Sequence, residues 1–394
     1  MKEKIAIITM YHNSTNYGGL AQAYALQRFL SNNGYQVELI SYEMERRRTS
    51  IKKKLREHFD LSNGITGITK GFKWAISYTF NKFVDLFFNV PQLKKRGHLF
   101  IEKNKKLKAF RDSIPHSKIV NSNTIHELKD DYDIFISGSD QIWKPGLVQD
   151  AFVLDFVKDK KKIAYSSSVT TINIENNKEY CEYMKEKLNS FSAVSVREEQ
   201  TKVELERVIG KHVELVLDPT LLLEREEWEL LCSNRLVEEP YIFTYFLGSS
   251  LEQRKFVNKF AEERNLKVVT IPFCSGVYNR YDEKCANQIM YNAGIEDFFS
   301  LIKNAEYVFT DSFHAICFSW IFNTRFFVFN RYDGKNSSSM SSRILSILKI
   351  MNLSDLLITT SSTDLDKKIE FSSSLFDKIK NSSISYLMNS LKCK

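Results

Sequence analysis

Short β-branched and aromatic runs alternate with stretches of 3.6-residue apolar period, and they do so twice along the chain. That alternation leaves few folds open. A strand feeding a helix that returns to a parallel strand is a right-handed crossover unit, and repeats of it build a parallel sheet with helices on both faces. The first series opens with a strand at 4–10, a loop at 13–19, a helix at 20–33 and a strand at 35–41. Leu20, Ala23, Tyr24, Leu26 and Leu30 make one helical face, and Gly34 fits the position just past a helix end. Runs at 132–137, 162–167, 191–196 and 212–217 continue as strands. The second series places strands at 241–247, 266–271, 307–310 and 325–329, with helices at 251–265, 295–304, 314–322 and 341–351. A chain of 394 residues exceeds one ordinary core. The expectation is α/β with two doubly wound domains, residues 1–216 and 217–394, facing across a cleft.

Ligands of open α/β sheets bind at the carboxyl ends of the strands, so the strand-end loops hold the candidate site residues. His314 is the sharpest. It follows the apolar run 307–309 and the capping residues Thr310-Asp311-Ser312, and it would lie in the first turn of a helix, where backbone N–H groups favour an anion. Histidine is also the residue type whose charge changes near neutral pH. Asn16-Tyr17-Gly18-Gly19 follows the first strand, and its glycines allow a tight turn or a close approach to an anion. Ser139 and Asp140 end another strand, and Asp140 suits a sugar hydroxyl or a helix cap. Arg197 leaves a strand end with forked donors for carboxylate or phosphate, or for the adjacent Glu198 and Glu199. The basic loop after 329 carries Arg331 and Lys335, with Arg343 beyond, as a second anion clamp or a solvated loop.

The net charge of +8 is unevenly placed. Residues 46–111 hold 18 Lys and Arg against 4 Asp and Glu, so the rest of the chain is net negative. This basic segment interleaves aromatics, as in Phe72-Lys-Trp74 and Phe83-Val-Asp-Leu-Phe-Phe88. It reads either as a helical insertion with a solvated basic face or as a surface touching anionic lipid or a lipid-linked phosphorylated substrate. No nucleic-acid-binding motif accompanies the charge, so no nucleic-acid partner is expected. The six cysteines form no C-x-x-C pair, which argues against zinc and a disulfide framework and fits a reducing cytoplasm. The apolar run after Met1 is too short for a signal peptide, and no stretch approaches the ~20 apolar residues of a membrane helix. There is no D-x-D, no H-E-x-x-H and no G-x-S-x-G, so no metal and no serine elbow is expected.

Seven segments in one order resemble the polysaccharide pyruvyl transferase family. They are Asn16-Tyr-Gly-Gly19 with Gln22-Ala-Tyr-Ala-Leu26, Gly138-Ser-Asp-Gln-Ile-Trp143, Phe152-Val-Leu-Asp-Phe156 with Lys162-Ile-Ala-Tyr165, and Val194-Ser-Val-Arg-Glu198. Leu217-Asp-Pro-Thr220, Thr310-Asp-Ser-Phe-His-Ala315, and Lys335-Asn336 followed by Arg343 complete them. The resemblance implies two Rossmann-like domains in a GT-B-like arrangement with the site in the interdomain cleft. It implies transfer of the pyruvyl group of phosphoenolpyruvate to two sugar hydroxyls as a cyclic ketal, with release of phosphate and no cofactor. The acceptor it implies belongs to a cell-surface polysaccharide precursor, often lipid-linked, at the cytoplasmic membrane face. Residues 46–111 would suit peripheral membrane contact there.

By the same resemblance His314 and Arg197 are catalytic, with His314 the proton donor or shuttle. Asn16, Tyr17, Gly18, Ser139, Asp140, Ser312, Arg325, Lys335 and Arg343 are the substrate-binding candidates. Characterised members read Arg-Leu-His where this chain has Ser312-Phe313-His314. Arg325, Lys335 or the helix N-terminus are the candidates to replace that arginine, and a changed donor is the alternative. Two rival readings remain at this stage. One is a GT-B glycosyltransferase using a nucleotide sugar, and the other is a non-catalytic glycan- or lipid-binding scaffold.

Overall fold

Asn16 stops the first loop and starts the first helix. Its side chain accepts from the Gly18 N–H at 3.0 Å, so helix α1 (Tyr17–Asn32) begins three residues earlier than the apolar periodicity suggests. Gly34, at φ 93°, follows the helix and returns the chain to β2 (Gln36–Tyr42), which pairs in parallel with β1 (Lys4–Ile8). The computed structural model describes residues 3–45, 95–170, 173–273, 280–331, 338–358 and 364–392. Lys335 and the greater part of the basic segment, 46–94, lie outside the described residues.

The chain resumes with α2 (Gly97–Ser113), β3 (His116–Val120), β4 (Ile134–Ser137) and β5 (Lys161–Ala164). These strands form a parallel sheet of order β3-β2-β1-β4-β5. The order reverses at β1, which pairs with both β2 and β4, so the loops after β1 and β4 flank a crevice. After α3 (Lys178–Leu188) come β6 (Ser195–Val196), α4 (Glu199–Ile209) and β7 (Glu214–Leu215). The pair β6-β7 is shorter than its apolar runs, and bridges Ile163↔Ala193 and Ser167↔Val196 attach it to the end of the first sheet.

A short α5 (Arg225–Glu229) leads to the second sheet. It comprises β8 (Tyr241–Tyr245), β9 (Lys267–Thr270), β10 (Gln288–Ile289), β11 (Tyr307–Thr310), β12 (Phe326–Phe329) and β13 (Leu357–Ile358) in the parallel order β10-β9-β8-β11-β12-β13. The helices of this half are α6 (Leu251–Glu263), α7 (Arg280–Cys285), α8 (Ile295–Lys303), α9 (Phe313–Ile321), α10 (Ser338–Ile350) and α11 (Ser374–Lys392). Here the order reverses between β8 and β11. The chain is thus α/β with two Rossmann-like domains, and the two sheets fall on either side of residue 216. Helix α11 crosses back to the first: Ser383 Oγ accepts from Leu217 N–H at 2.9 Å, and Tyr386 Oη donates to the Ala164 carbonyl at 2.9 Å.

The domains meet through apolar contact. The Tyr17 ring stacks on Phe298 at 5.0 Å and an interplanar angle of 2°, and its hydroxyl donates to the Ala293 carbonyl at 2.8 Å. Trp228, fully buried, touches Tyr24 on one side and Phe299 and Phe318 on the other. Burying each such side chain stabilises by roughly 1.5–3 kcal/mol, so the interface carries a substantial part of the core. Helix α2 straps the outside, with Lys106 Nζ on Asp297 at 2.9 Å and Phe100 edge-on to Tyr291. No helix among the described residues is long and apolar enough to cross a membrane.

Candidate active site

Both points of strand-order reversal open toward the same place. From the first domain come the turn at Gly18 and the loop after β4. From the second come the loop after β8 and the start of α9. His314 sits between them, 8 % exposed, in the first turn of α9. A methyl group on Gly18 would lie 2.0 Å from His314 Nδ1, so only glycine lets the first domain close on this imidazole. Gly18 serves this close approach rather than a tight turn, while Gly19, also inside α1, faces the Met10 carbonyl oxygen. On its other side, His314 Nε2 lies 3.7 Å from Asp218 Oδ2, an ion-pair distance for a protonated ring and too long for a hydrogen bond. Nε2 is buried and has no hydrogen-bond partner.

Asp218 was not expected as a site residue, although its segment was among those singled out. Its carboxylate is fully buried and held on both oxygens. Oδ1 accepts from the N–H and hydroxyl of Thr220 at 3.0 and 2.8 Å. Oδ2 accepts from Arg197 Nη1 at 2.7 Å and lies 3.3 Å from Ser139 Oγ. Burial pushes its pKa up, but His314, Arg197 and the Thr220 N–H outweigh burial and hold the carboxyl well below the usual range.

Arg197 is the hub of the first-domain wall. Its side chain is 1 % exposed and donates to three carboxylates: Asp218 at 2.7 Å, Asp140 at 3.0 Å and Glu198 at 3.3 Å. Glu199 is not among them. Burial opposes its charge, but Asp140, Glu198 and Asp218 outweigh it and raise its pKa above the usual arginine range. Asp140 therefore caps no helix. It stands at φ 69° with its carboxylate turned to Arg197. One residue further back the Gly138–Ser139 peptide is cis, and at Gly138 (φ 130°) a Cβ would lie 2.1 Å from the Tyr165 carbonyl oxygen. Ser139 N–H donates to Gln22 Oε1, whose amide nitrogen donates to Thr9 Oγ1 and the Gly19 carbonyl. One buried glutamine thereby fixes the loops after β1 and β4 to α1.

The second-domain wall differs. Ser312 is the N-cap of α9 but makes no side-chain cap bond. The Thr310 hydroxyl takes the Ser312 N–H at 3.0 Å and donates to the Tyr245 carbonyl. Asp311 accepts the N–H groups of Leu247 and Gly248, both at 2.7 Å, tying the loop after β8 to the start of α9. Arg331 Nη2 donates to the Asp311 carbonyl at 2.9 Å. Arg343, on α10, is buried, and burial with the nearby charges of Arg197 and Arg331 lowers its pKa to about 10 against the pull of Asp140 and Glu198.

The structure thus brings together Gly18, Ser139, Asp140, Arg197, Ser312, His314 and Arg343. Asn16 stays at the rim as an exposed cap, and the Tyr17 hydroxyl is spent on the domain interface. Arg325 does not join them. It precedes β12, at the amino edge of the sheet and away from the carboxyl ends, exposed, with its guanidinium over the Tyr307 ring. It cannot stand in for the arginine absent at 312.

The family model for polysaccharide pyruvyl transferase matches residues 16–333. No curated protein matches the chain. Among solved structures, the UDP-GlcNAc 2-epimerase of Methanocaldococcus jannaschii superposes with a TM-score of 0.51 at 11 % identity, covering 100 % of this chain and 94 % of its own. The UDP-GlcNAc 2-epimerase of Neisseria meningitidis, solved with UDP-GlcNAc, gives 0.50 at 10 % identity, with 100 % of both chains covered. Identities this low show the fold, a GT-B-like pair of Rossmann domains.

Proposed function

The chain belongs to the polysaccharide pyruvyl transferase family, and from that premise we propose that it moves the pyruvyl group of phosphoenolpyruvate onto two hydroxyls of a sugar in a cell-surface polysaccharide precursor. The observation that carries the reading is the placement of His314. A histidine wedged between both points of strand-order reversal, with a buried carboxylate on Nε2 and buried guanidiniums around it, suits acid–base work on an anion.

Phosphoenolpyruvate carries a carboxylate and a phosphate, about three negative charges at neutral pH. Arg343 and Arg331 receive it, with the N-terminus of α9 and with Lys335, which lies outside the described residues. His314 protonates the methylene carbon. One sugar hydroxyl attacks the resulting C2 cation and returns its proton to His314. The C2–O bond to phosphate then breaks, and the second hydroxyl closes the ketal, its proton leaving with phosphate. Asp218 and Gly18 position the imidazole. This reading needs no cofactor, and a lipid-linked acceptor would be met at the inner membrane face.

The test is phosphate release from phosphoenolpyruvate with a panel of lipid-linked and nucleotide-linked sugars. Acceptor-dependent release is expected. Binding of UDP or GDP with no release on any acceptor would replace this reading with a nucleotide-sugar glycosyltransferase. Membrane or glycan binding alone, with no stabilisation by phosphoenolpyruvate, would replace it with a scaffold.

A further inference from the structure

A second concavity, of about 660 Å³, opens in the first domain at the end of β2 and along the start of α3. Its volume falls within the ~300–1,000 Å³ of small-ligand sites. Half-buried rings of Tyr183 and Phe156 line it, and both pack on the apolar core behind them. Its polar groups are already fixed in place. Tyr42 Oη donates to Gln149 Oε1 at 2.8 Å, and Tyr183 Oη donates to Asp150 Oδ1 at 2.7 Å.

The charge of this groove is opposite to that of the histidine site. Its lining includes Glu45, Asp150, Asp155 and Glu179, with no lysine or arginine among the described residues. Among the described residues only Asp155 is paired with lysines, Lys187 at 3.1 Å and Lys158 at 3.6 Å. A phosphate or a nucleotide would be repelled. A metal ion fits no better, since no group of three or more His, Cys, Asp or Glu among the described residues is arranged to hold one. What remains is a ligand with apolar C–H faces for the rings and hydroxyl donors for the carboxylates and amides, which is the chemistry of an uncharged sugar.

Its position suits one. Tyr42 ends β2, Ser139 follows β4, and β1 lies between those strands. Two interstrand spacings of ~4.8 Å separate their ends, roughly 10 Å. The groove and the histidine site therefore share one edge of the sheet.

We propose that this groove is a glycan-holding subsite that binds an uncharged oligosaccharide stretch of the acceptor beside the sugar that reacts. The inference rests on the family's polysaccharide substrate and extends it to a second contact. It would let the enzyme select a chain rather than a single sugar, and would leave binding intact when the chemistry is removed.

The full chain is applied to an array of immobilised uncharged, amino-sugar and uronic-acid oligosaccharides, with a lysine-rich peptide as a control spot. Wild type and His314→Ala should retain uncharged oligosaccharides. Tyr183→Ala and Glu179→Lys, checked for unchanged melting temperature, should lose roughly tenfold in affinity, the scale of one good aromatic contact. Tyr183→Phe, which keeps the ring, should lose less than Tyr183→Ala. The subsite is refuted if no uncharged glycan is retained, if the groove variants bind as wild type, or if only the peptide is retained. Glycan retention without phosphate release from phosphoenolpyruvate would instead count against the donor reading alone.

Discussion

Two buried arginines, one on each wall of the cleft, show how differently the walls are built. Arg197 stands among three carboxylates, and its charge is stabilised by the fold. Arg343 is as thoroughly buried, yet its charge is disfavoured and its pKa falls to about 10, because burial, Arg197 and Arg331 outweigh Asp140 and Glu198. The first-domain wall is internally neutralised and holds its own shape. On the second-domain wall Arg331 is paired with Asp311 at 3.6 Å, while the charge of Arg343 is disfavoured where it stands. The sequence resemblance made Arg197 catalytic and Arg343 substrate-binding; the surrounding charges separate them in another way.

That contrast is easiest to break at Arg197. Arg197→Met would strand Asp140, Glu198 and Asp218 and should destabilise the protein by about 3–5 kcal/mol, the scale of a broken buried ion pair, read by urea unfolding. A small loss would mean that the carboxylates are not held as described. Next in size is Gly18→Ala. A Cβ 2.0 Å from Nδ1 must displace the His314 ring, and misplacement by about 1 Å costs on the order of 100-fold in turnover. Turnover equal to wild type would show that the imidazole does not work from this position.

Arg343→Met should behave differently from Arg197→Met. The free protein should lose less stability than Arg197→Met does, while KM for phosphoenolpyruvate should rise roughly tenfold or more, the scale of a charge-assisted hydrogen bond. Titration gives the same test without mutation. Arg343 loses its proton as pH rises through about 10, so KM should climb there while Arg197 keeps its charge. Its folded pKa lies below its unfolded value, so the destabilisation due to the buried charge should fade as pH rises from about 10 toward the ordinary arginine range. A flat KM across that window would remove Arg343 from the donor site. The smallest effect belongs to Arg325→Ala. An exposed residue at the wrong end of β12 should change stability and KM by no more than ~0.5 kcal/mol equivalent, and a large KM increase would restore it as a donor-site candidate.

The alternation of strand and helix was legible because periodicity is local, and it placed His314 at a strand end in the first turn of a helix. Arg325 was legible too in principle, since it precedes an apolar run and so enters the sheet at its amino edge. The partners of the charged residues were not. Asp140 looked like a cap because its neighbours are small and polar, and its actual partner is 57 residues away. Gly18 looked like turn chemistry, and only the assembled interface shows that it makes room for a histidine of the other domain. Asp218 lies in a segment whose family match was visible, but its importance comes from four groups that folding brings to one carboxylate.

The central claim is that His314 is the proton donor at an anion site built from both walls. It is tested most directly by single-turnover phosphate release from phosphoenolpyruvate in His314→Ala, with acceptor present and with donor binding followed by thermal shift. The account predicts a loss of at least ~100-fold in the rate of release, with phosphoenolpyruvate still raising the melting temperature. Release at the wild-type rate would contradict it.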